Sequence, residues 1–322
     1  MVIRGGFGWK ILKMLMYPTS LVLLLEMWIG KRTTLLFILI VLLALLLIVA
    51  IFFVFPPRDR LSSAAGYLKS HFNSEVGLVY ESEDPGDRTY GNQTYSYNQI
   101  YWLYSDNLLV SWALKPYDSE MSDTINQTIR SYSVGESGLF EVIFGKIISQ
   151  NVSAANQLII ANNSEHVIMA EFHNSSTPLL WEKYGDTLIY QSLNEYLKGN
   201  KAAAEKYFII ACQMFDGKGV NDTATKTDGK YANYKLALLI YASKVLNNPK
   251  QLNANISCGV SVKETLWSMQ NTTTGGITSL ADPDGNPMGS ANAETTSMTL
   301  LAYNDELIAR MHSLFASNKQ DK

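Results

Sequence analysis

Four acidic residues, Asp106, Asp186, Asp228 and Glu294, each stand at the start of a segment whose next two turns are apolar or small. They occur as Ser105-Asp106-Asn107 before Leu108–Leu114, Gly185-Asp186-Thr187 before Leu188–Leu193, Thr227-Asp228-Gly229 before Tyr231–Leu238, and Asn292-Ala293-Glu294 before Thr295–Leu301. Carboxyl groups that face each other across a cavity can do acid/base chemistry. Glycoside hydrolysis needs two of them roughly 5 to 9.5 Å apart, one protonated and one ionised. Aromatic side chains suited to stacking on sugar rings are at hand in Tyr101, Trp102, Tyr104, Trp181, Tyr184, Tyr231 and Tyr234. A plainer explanation stands beside this one. Asp is a strong N-cap residue that favours the positive end of a helix dipole, and aromatics at helical spacing commonly belong to a core. Convergence of four acids argues more for a binding cavity than for catalysis.

The elements that must position these residues are mostly helices. Helical periodicity runs through Leu61–Phe72, Gln99–Leu114, Ser119–Tyr132, Trp181–Leu197, Lys201–Phe215, Tyr231–Asn247, Ser261–Gln270 and Ala291–Leu314. Between Asn151 and Pro178 the pattern alternates like strands, at Gln157–Ala161 and His166–Phe172, separated by Asn162-Asn163-Ser164. The expected fold class is mainly α with a small β excursion. Alternation of buried with half-exposed helices is how helical hairpins close into a ring or stack into a solenoid.

Trp267-Ser-Met-Gln270, Gly275-Gly276-Ile277, Gly289 and the Glu294–Leu301 helix together resemble the repeating unit of α/α toroids. These include the terpenoid-cyclase and prenyltransferase toroids and the six-hairpin glycosidases. Tyr101–Asn107, Met214–Gly219 and Asp228–Ala237 also resemble uncharacterised membrane-anchored archaeal proteins with a toroid-like ectodomain. The resemblance implies an α/α toroid over roughly Leu61–Leu314, with the four acids gathered on one cavity. It does not extend to the cyclase or prenyltransferase chemistry. No Asp-x-Asp-Asp cluster occurs, Asp282-Pro-Asp284-Gly285 is not one, and His166 and His173 have no paired ligand pattern for zinc. If the protein is an enzyme, a glycoside hydrolase-like activity is what remains. A helical-repeat scaffold is the alternative, because Asn194–Phe208 with Ala211 looks like one tetratricopeptide hairpin, although the roughly 34-residue period is not held elsewhere.

Smaller motifs add little chemistry. Asp282–Asn286 reads as a turn, since its Gly falls where a calcium loop would not place it. Gly217-Lys218-Gly219 reads as a helix end and not a phosphate loop. Two cysteines, Cys212 and Cys258, make no disulfide scaffold, and either one bridge or a simply buried Cys212 fits. A net charge of −3 without a basic patch argues against nucleic acid as a partner. No cofactor and no metal site are expected.

Leu35–Phe55 is an unbroken apolar run, long enough at about 1.5 Å per residue to cross a bilayer. It is too long for a signal-peptide core and lacks a small-x-small cleavage site, so it reads as an anchor. Arg4, Lys10, Lys13, Lys31 and Arg32 precede it, and Asn-x-Ser/Thr acceptors at Asn92, Asn126, Asn151, Asn162, Asn174, Asn221, Asn255 and Asn271 follow it. The expected layout is a cytoplasmic segment over 1–33, which translation from Met27 would largely omit, a transmembrane helix over 34–55, a linker over 56–60 and an extracytoplasmic domain over 61–322. The expected role is a single-pass cell-membrane glycoprotein whose cavity binds or processes glycans or another envelope polymer.

Overall fold

A computed structural model describes residues 59–148, 153–173, 180–254 and 261–320. Helix α1, Arg60–Ser70, starts at Asp59, whose carboxylate accepts the Ser62 amide at 3.4 Å, and buries Ala64, Ala65, Tyr67 and Leu68. Two short hairpins follow, β1 (Phe72–Asn73) with β2 (Leu78–Val79) and β3 (Asp87–Tyr90) with β4 (Gln93–Ser96). Strand β5, Ile100–Trp102, leads through a π-helical turn over Leu103–Leu108 into helix α2, Leu109–Leu114. Asn107 fixes that turn from its fully buried position. Its amide donates to the carbonyls of Val79 and Trp102, both at 2.9 Å, and its oxygen accepts the Val79 amide at 2.7 Å.

Helix α3, Ser119–Ser131, is amphipathic and lays Ser122, Ile125 and Ile129 on α2. Strands β6 (Asn156–Asn162) and β7 (Val167–Phe172) pair antiparallel, and β7 pairs parallel with β5. Helices α4 (Gly185–Leu197) and α5 (Lys201–Gln213) form a closely packed hairpin. Helix α6 (Thr223–Asp228) and strand β8 (Tyr231–Ala232) precede α7, Tyr234–Val245. Helices α8 (Pro249–Ala254) and α9 (Val262–Ser268), strands β9 (Thr278–Ala281) and β10 (Pro287–Ala291), and helices α10 (Ala293–Leu301) and α11 (Asp305–Gln320) complete the order.

Helices α7 and α10 are buried on nearly every face, as all-round apolar or small helices must be. Each packs on the other, α10 packs on α2, and α7 packs on α4. The result is a row α2–α10–α7–α4 with α1, α3 and α5 outside it. Gly275 and Gly276 serve a close approach to α1. A Cβ at Gly275, where φ is +85°, would lie 2.3 Å from the Ser63 carbonyl oxygen, and one at Gly276 would strike the Tyr67 ring at 2.6 Å.

This architecture corrects the expected α/α toroid and the mainly α class. Among the described residues four small sheets are threaded between the helices, so the fold is mixed α/β. The apolar run of β7, expected as a strand, is covered on both faces and joined by parallel pairing to β5, a segment expected as the start of a helix. Segments read as single helices are also broken. Gln99–Leu114 opens as a strand and a π-helical turn. Ala291–Leu314 divides at Asn304, whose side chain accepts the Leu307 amide at 3.0 Å and starts a new helix.

The chain divides into two units, Met1–Arg58 and Asp59–Lys322. The span expected over 34–55 and the segment before it lie outside the described residues. Among the described residues no helix is long and apolar enough to cross a membrane, so the single-pass cell-membrane localisation is not carried forward. Of the expected glycosylation sites, Asn92, Asn162 and Asn271 are exposed and Asn126 and Asn221 half-buried, whereas Asn151, Asn174 and Asn255 lie outside the described residues. Cys212 is buried in α5, which pushes its thiol up to about 12, and Cys258 lies outside the described residues.

One buried ion pair joins three of these elements. Lys235 of α7 donates to Asp222 at 2.6 Å; both side chains are within 3% of complete burial. Asp222 also accepts the Gly185 amide at 2.9 Å, where α4 begins, and caps α6 through the Thr225 amide at 3.1 Å. Burial alone would raise its pKa, but the Lys235 charge and these donors outweigh that and hold it below the usual carboxylate range. We expect Asp222→Ala to destabilise the fold by about 3–5 kcal/mol by stranding a buried ammonium. Urea denaturation followed by circular dichroism tests this, and a loss under about 1 kcal/mol would remove the pair from its structural role.

Candidate functional site

The start of α10 is fixed by Asn292, whose side chain accepts the Thr295 amide at 2.9 Å and leaves Glu294 in the first turn. Asp186 occupies the first turn of α4 and Tyr234 opens α7. The Tyr234 hydroxyl donates to the Asp186 carboxylate, the Thr187 amide donates to it at 2.8 Å, and the Lys235 ammonium lies 3.9 Å away. Asp106 projects from the π-helical turn, a distortion often found at functional positions because the wider turn redirects side chains.

These groups meet in a cavity of about 460 Å³. Glu81 and Asp84 line it from the segment after β2, and Glu171 and His173 from β7 and just beyond it. Glu81 is held between the β5 end and the α10 start: its amide donates to Ile100 and its carbonyl accepts from Ala293, both at 2.9 Å. Its carboxylate accepts the Trp102 indole N–H at 2.9 Å and pairs with Arg88 at 3.2 Å. Aromatic walls come from Tyr97, Trp102, Phe140, Tyr190 and Tyr234.

Crowding of carboxyl groups in a half-dry space sets their protonation. Burial, and after it the charges of Glu171, Asp186 and Glu81, push Glu294 up to about 8, against a smaller opposing pull from Lys235. Asp106 is also pushed well above the ordinary Asp range, by burial first and then by Glu81, Glu294 and Glu171. Burial raises Glu81 despite its contacts with Arg88 and Trp102. His173 shows the reverse balance. Burial opposes its charge, but Glu171, the Ser153 carbonyl and Asp186 together raise its pKa. At neutral pH Glu294 therefore holds its proton, in the same cavity as Asp186, whose oxygens accept from Tyr234 and Thr187.

Of the four sequence candidates, Asp106, Asp186 and Glu294 come together and Asp228 does not. Asp228 is the exposed last residue of α6, closed by Gly229 at φ +69°. Among the seven aromatic candidates, Trp102 and Tyr234 line the cavity. Tyr101 is in the core, accepting from Asn73, and Tyr104 donates to the Gly135 carbonyl. Trp181 packs edge-on against Tyr207, Tyr184 precedes α4, and Tyr231 donates to Asp216 at 2.6 Å. Glu81, Glu171, Arg88, His173, Tyr97, Phe140 and Tyr190 were not singled out from sequence. Glu171 carried a signal, as a lone acid inside the apolar run of β7. Among the described residues no group of three His, Cys, Asp or Glu side chains is placed to hold a metal ion.

The raised Glu294 group makes stability depend on pH. Between the unfolded value near 4.3 and the folded value of about 8, the folded state holds a proton that the unfolded chain has lost, so stability falls as pH rises through that window. Glu294→Gln should raise the melting midpoint at pH 8 by about 3–6 °C, with the gain vanishing near pH 4. Thermal melts of the two proteins across that range test this, and a gain independent of pH would contradict the assignment. Comparison with protein-family models, curated proteins and solved structures finds no match in any of the three, so neither the toroid families nor the archaeal membrane proteins that the sequence resembles are supported as relatives.

Proposed function

We propose that the protein binds glycan chains in this cavity and cleaves them by acid/base hydrolysis. The observation that carries the reading is the pairing, on one aromatic-walled cavity, of Glu294 with its pKa raised to about 8 and Asp186 with its oxygens engaged by Tyr234 and Thr187. A protonated carboxyl beside a carboxylate is the combination that glycoside hydrolysis uses. Glu294 would give its proton to the bridging oxygen as the bond to the sugar breaks. Asp186 would take a proton from the attacking water or attack the sugar itself, with water then completing the exchange. Trp102, Tyr234, Tyr97 and Tyr190 line the cavity and would supply the apolar contacts that sugar rings need.

The alternative of a non-catalytic helical-repeat scaffold draws support from the α4–α5 hairpin alone, and that hairpin does not repeat along the row of central helices. A panel of β- and α-linked oligosaccharides, assayed for new reducing ends, tests the hydrolase reading. Activity should decline as pH rises past about 8, when Glu294 loses its proton. Glu294→Gln and Asp186→Asn should each lower turnover by about 10²–10⁴-fold with little change in melting profile at pH 5. Full activity in either variant would remove that residue from the mechanism, and failure to bind any glycan would remove the reading.

A further inference from the structure

Six carboxyl groups line the cavity, from Glu81, Asp84, Asp106, Glu171, Asp186 and Glu294, against two side chains able to carry positive charge, Arg88 and His173. Their ionic partners are unevenly shared. Glu81 has Arg88, Glu171 has His173 and Asp186 has Lys235. Among the described residues no Lys, Arg or His forms an ion pair with Asp84, Asp106 or Glu294.

Acidity alone does not define a ligand, but the cavity floor adds an independent observation. Asp106 is 3% exposed, and its Oδ2 has no hydrogen-bond partner among the described residues. Thr295, at 1% exposure and also lining the cavity, has an equally unpartnered Oγ1. Buried polar atoms are nearly always satisfied, so two orphans among the residues lining one cavity point to a missing hydrogen-bond partner. Asp84 also borders a second hollow, of about 450 Å³, where Glu83 and Asp87 extend the acidic lining.

We propose that the ligand is a glycan whose sugar residues carry free amines, with an ammonium group seated toward Asp106. This rests on the glycan reading above and specifies its substrate class. An ammonium offers three donors and no acceptor, the complement of a wall rich in acceptors and short of counter-charge. A neutral hexose brings no positive charge to Asp84, Asp106 and Glu294, which have no basic partner among the described residues. A uronic acid adds charge of the wrong sign, and N-acetylation removes the cation. Because burial makes Asp106 and Glu294 hold protons more tightly than usual, a bound cation should expel protons from them.

The test is calorimetric titration of the full chain at pH 6, as wild type and as Asp186→Asn to keep the sugars intact. The probes are tetramers of glucosamine, N-acetylglucosamine and glucose, with spermidine as a sugar-free polyamine. The glucosamine tetramer should bind at least about tenfold more tightly than the other two sugars, lose that margin in high salt, and release protons as read from two buffers of different ionisation enthalpy. Asp106→Asn should remove most of the glucosamine tetramer's margin over the other two sugars. Proton release measured on the wild type keeps the proposal testable should that variant fold poorly. Equal or tighter binding of the glucose or N-acetylglucosamine tetramer overturns the amine assignment and leaves the glycan reading standing. Spermidine binding as tightly as the glucosamine tetramer overturns the sugar part, and no binding of any tetramer overturns both.

Discussion

The Lys235–Asp222 pair sets the geometry on which the cavity depends. A buried ammonium and carboxylate are costly to desolvate, and they persist only where additional donors complete the site. Here those donors are the amides of Gly185 and Thr225, so one carboxylate fixes the start of α4 and of α6 while bonding to the second residue of α7. Asp186 and Tyr234 are the immediate chain neighbours of Gly185 and Lys235. Their mutual hydrogen bond therefore follows from the ion pair behind them. Gly185 is needed for the same reason, because a Cβ there would lie 2.5 Å from Val220.

Opposite this charged anchor, the acids of the cavity are under-compensated. Two helix starts, a π-helical turn, a strand and the segment after β2 deliver carboxyl groups to one space, and each further negative charge makes its neighbours harder to ionise. Helix N-termini soften this, since their amides favour negative charge nearby. Asp186 accepts from the Thr187 amide and the Tyr234 hydroxyl, whereas burial and neighbouring acids dominate at Glu294, and the proposed division of roles follows that difference. The core enforces the arrangement: α7 and α10 are buried on almost every face and cannot rotate to carry Tyr234 or Glu294 away without exposing apolar surface.

Much of the local structure was legible in the residues. The strand pair at Gln157–Ala161 and His166–Phe172 forms as β6 and β7, because alternation and a buried apolar run are local signals. Asp186 and Glu294 do open helices, since a cap and the periodic run after it are also local. Asp228 was misplaced because Gly229 ends one short helix just before another begins, and an acid there looks the same as a cap. Tyr101 and Tyr104 were indistinguishable from cavity residues, since spacing does not say which face of an element looks inward. The toroid expectation failed on a non-local fact: β5 pairs with β7 across more than sixty residues, and no periodicity in either segment announces it. Glu81 joined the site through the same kind of long-range pairing, between its own backbone and that of Ala293.

The turn over Leu103–Leu108 has a consequence for how this chain can vary. A π-turn contains one residue more than the α-helical ladder requires, so the segment feeding α2 holds an excess residue that the scaffold does not need. Asn107 secures the turn to β2 and Leu109 onward secures the core, which leaves Ser105 and Asp106 as the part of the helix released from structural duty. Chemistry and architecture thus draw on separate residues of one continuous element. Selection can alter the side chain presented to the cavity at that point while the helix behind it stays under an independent constraint.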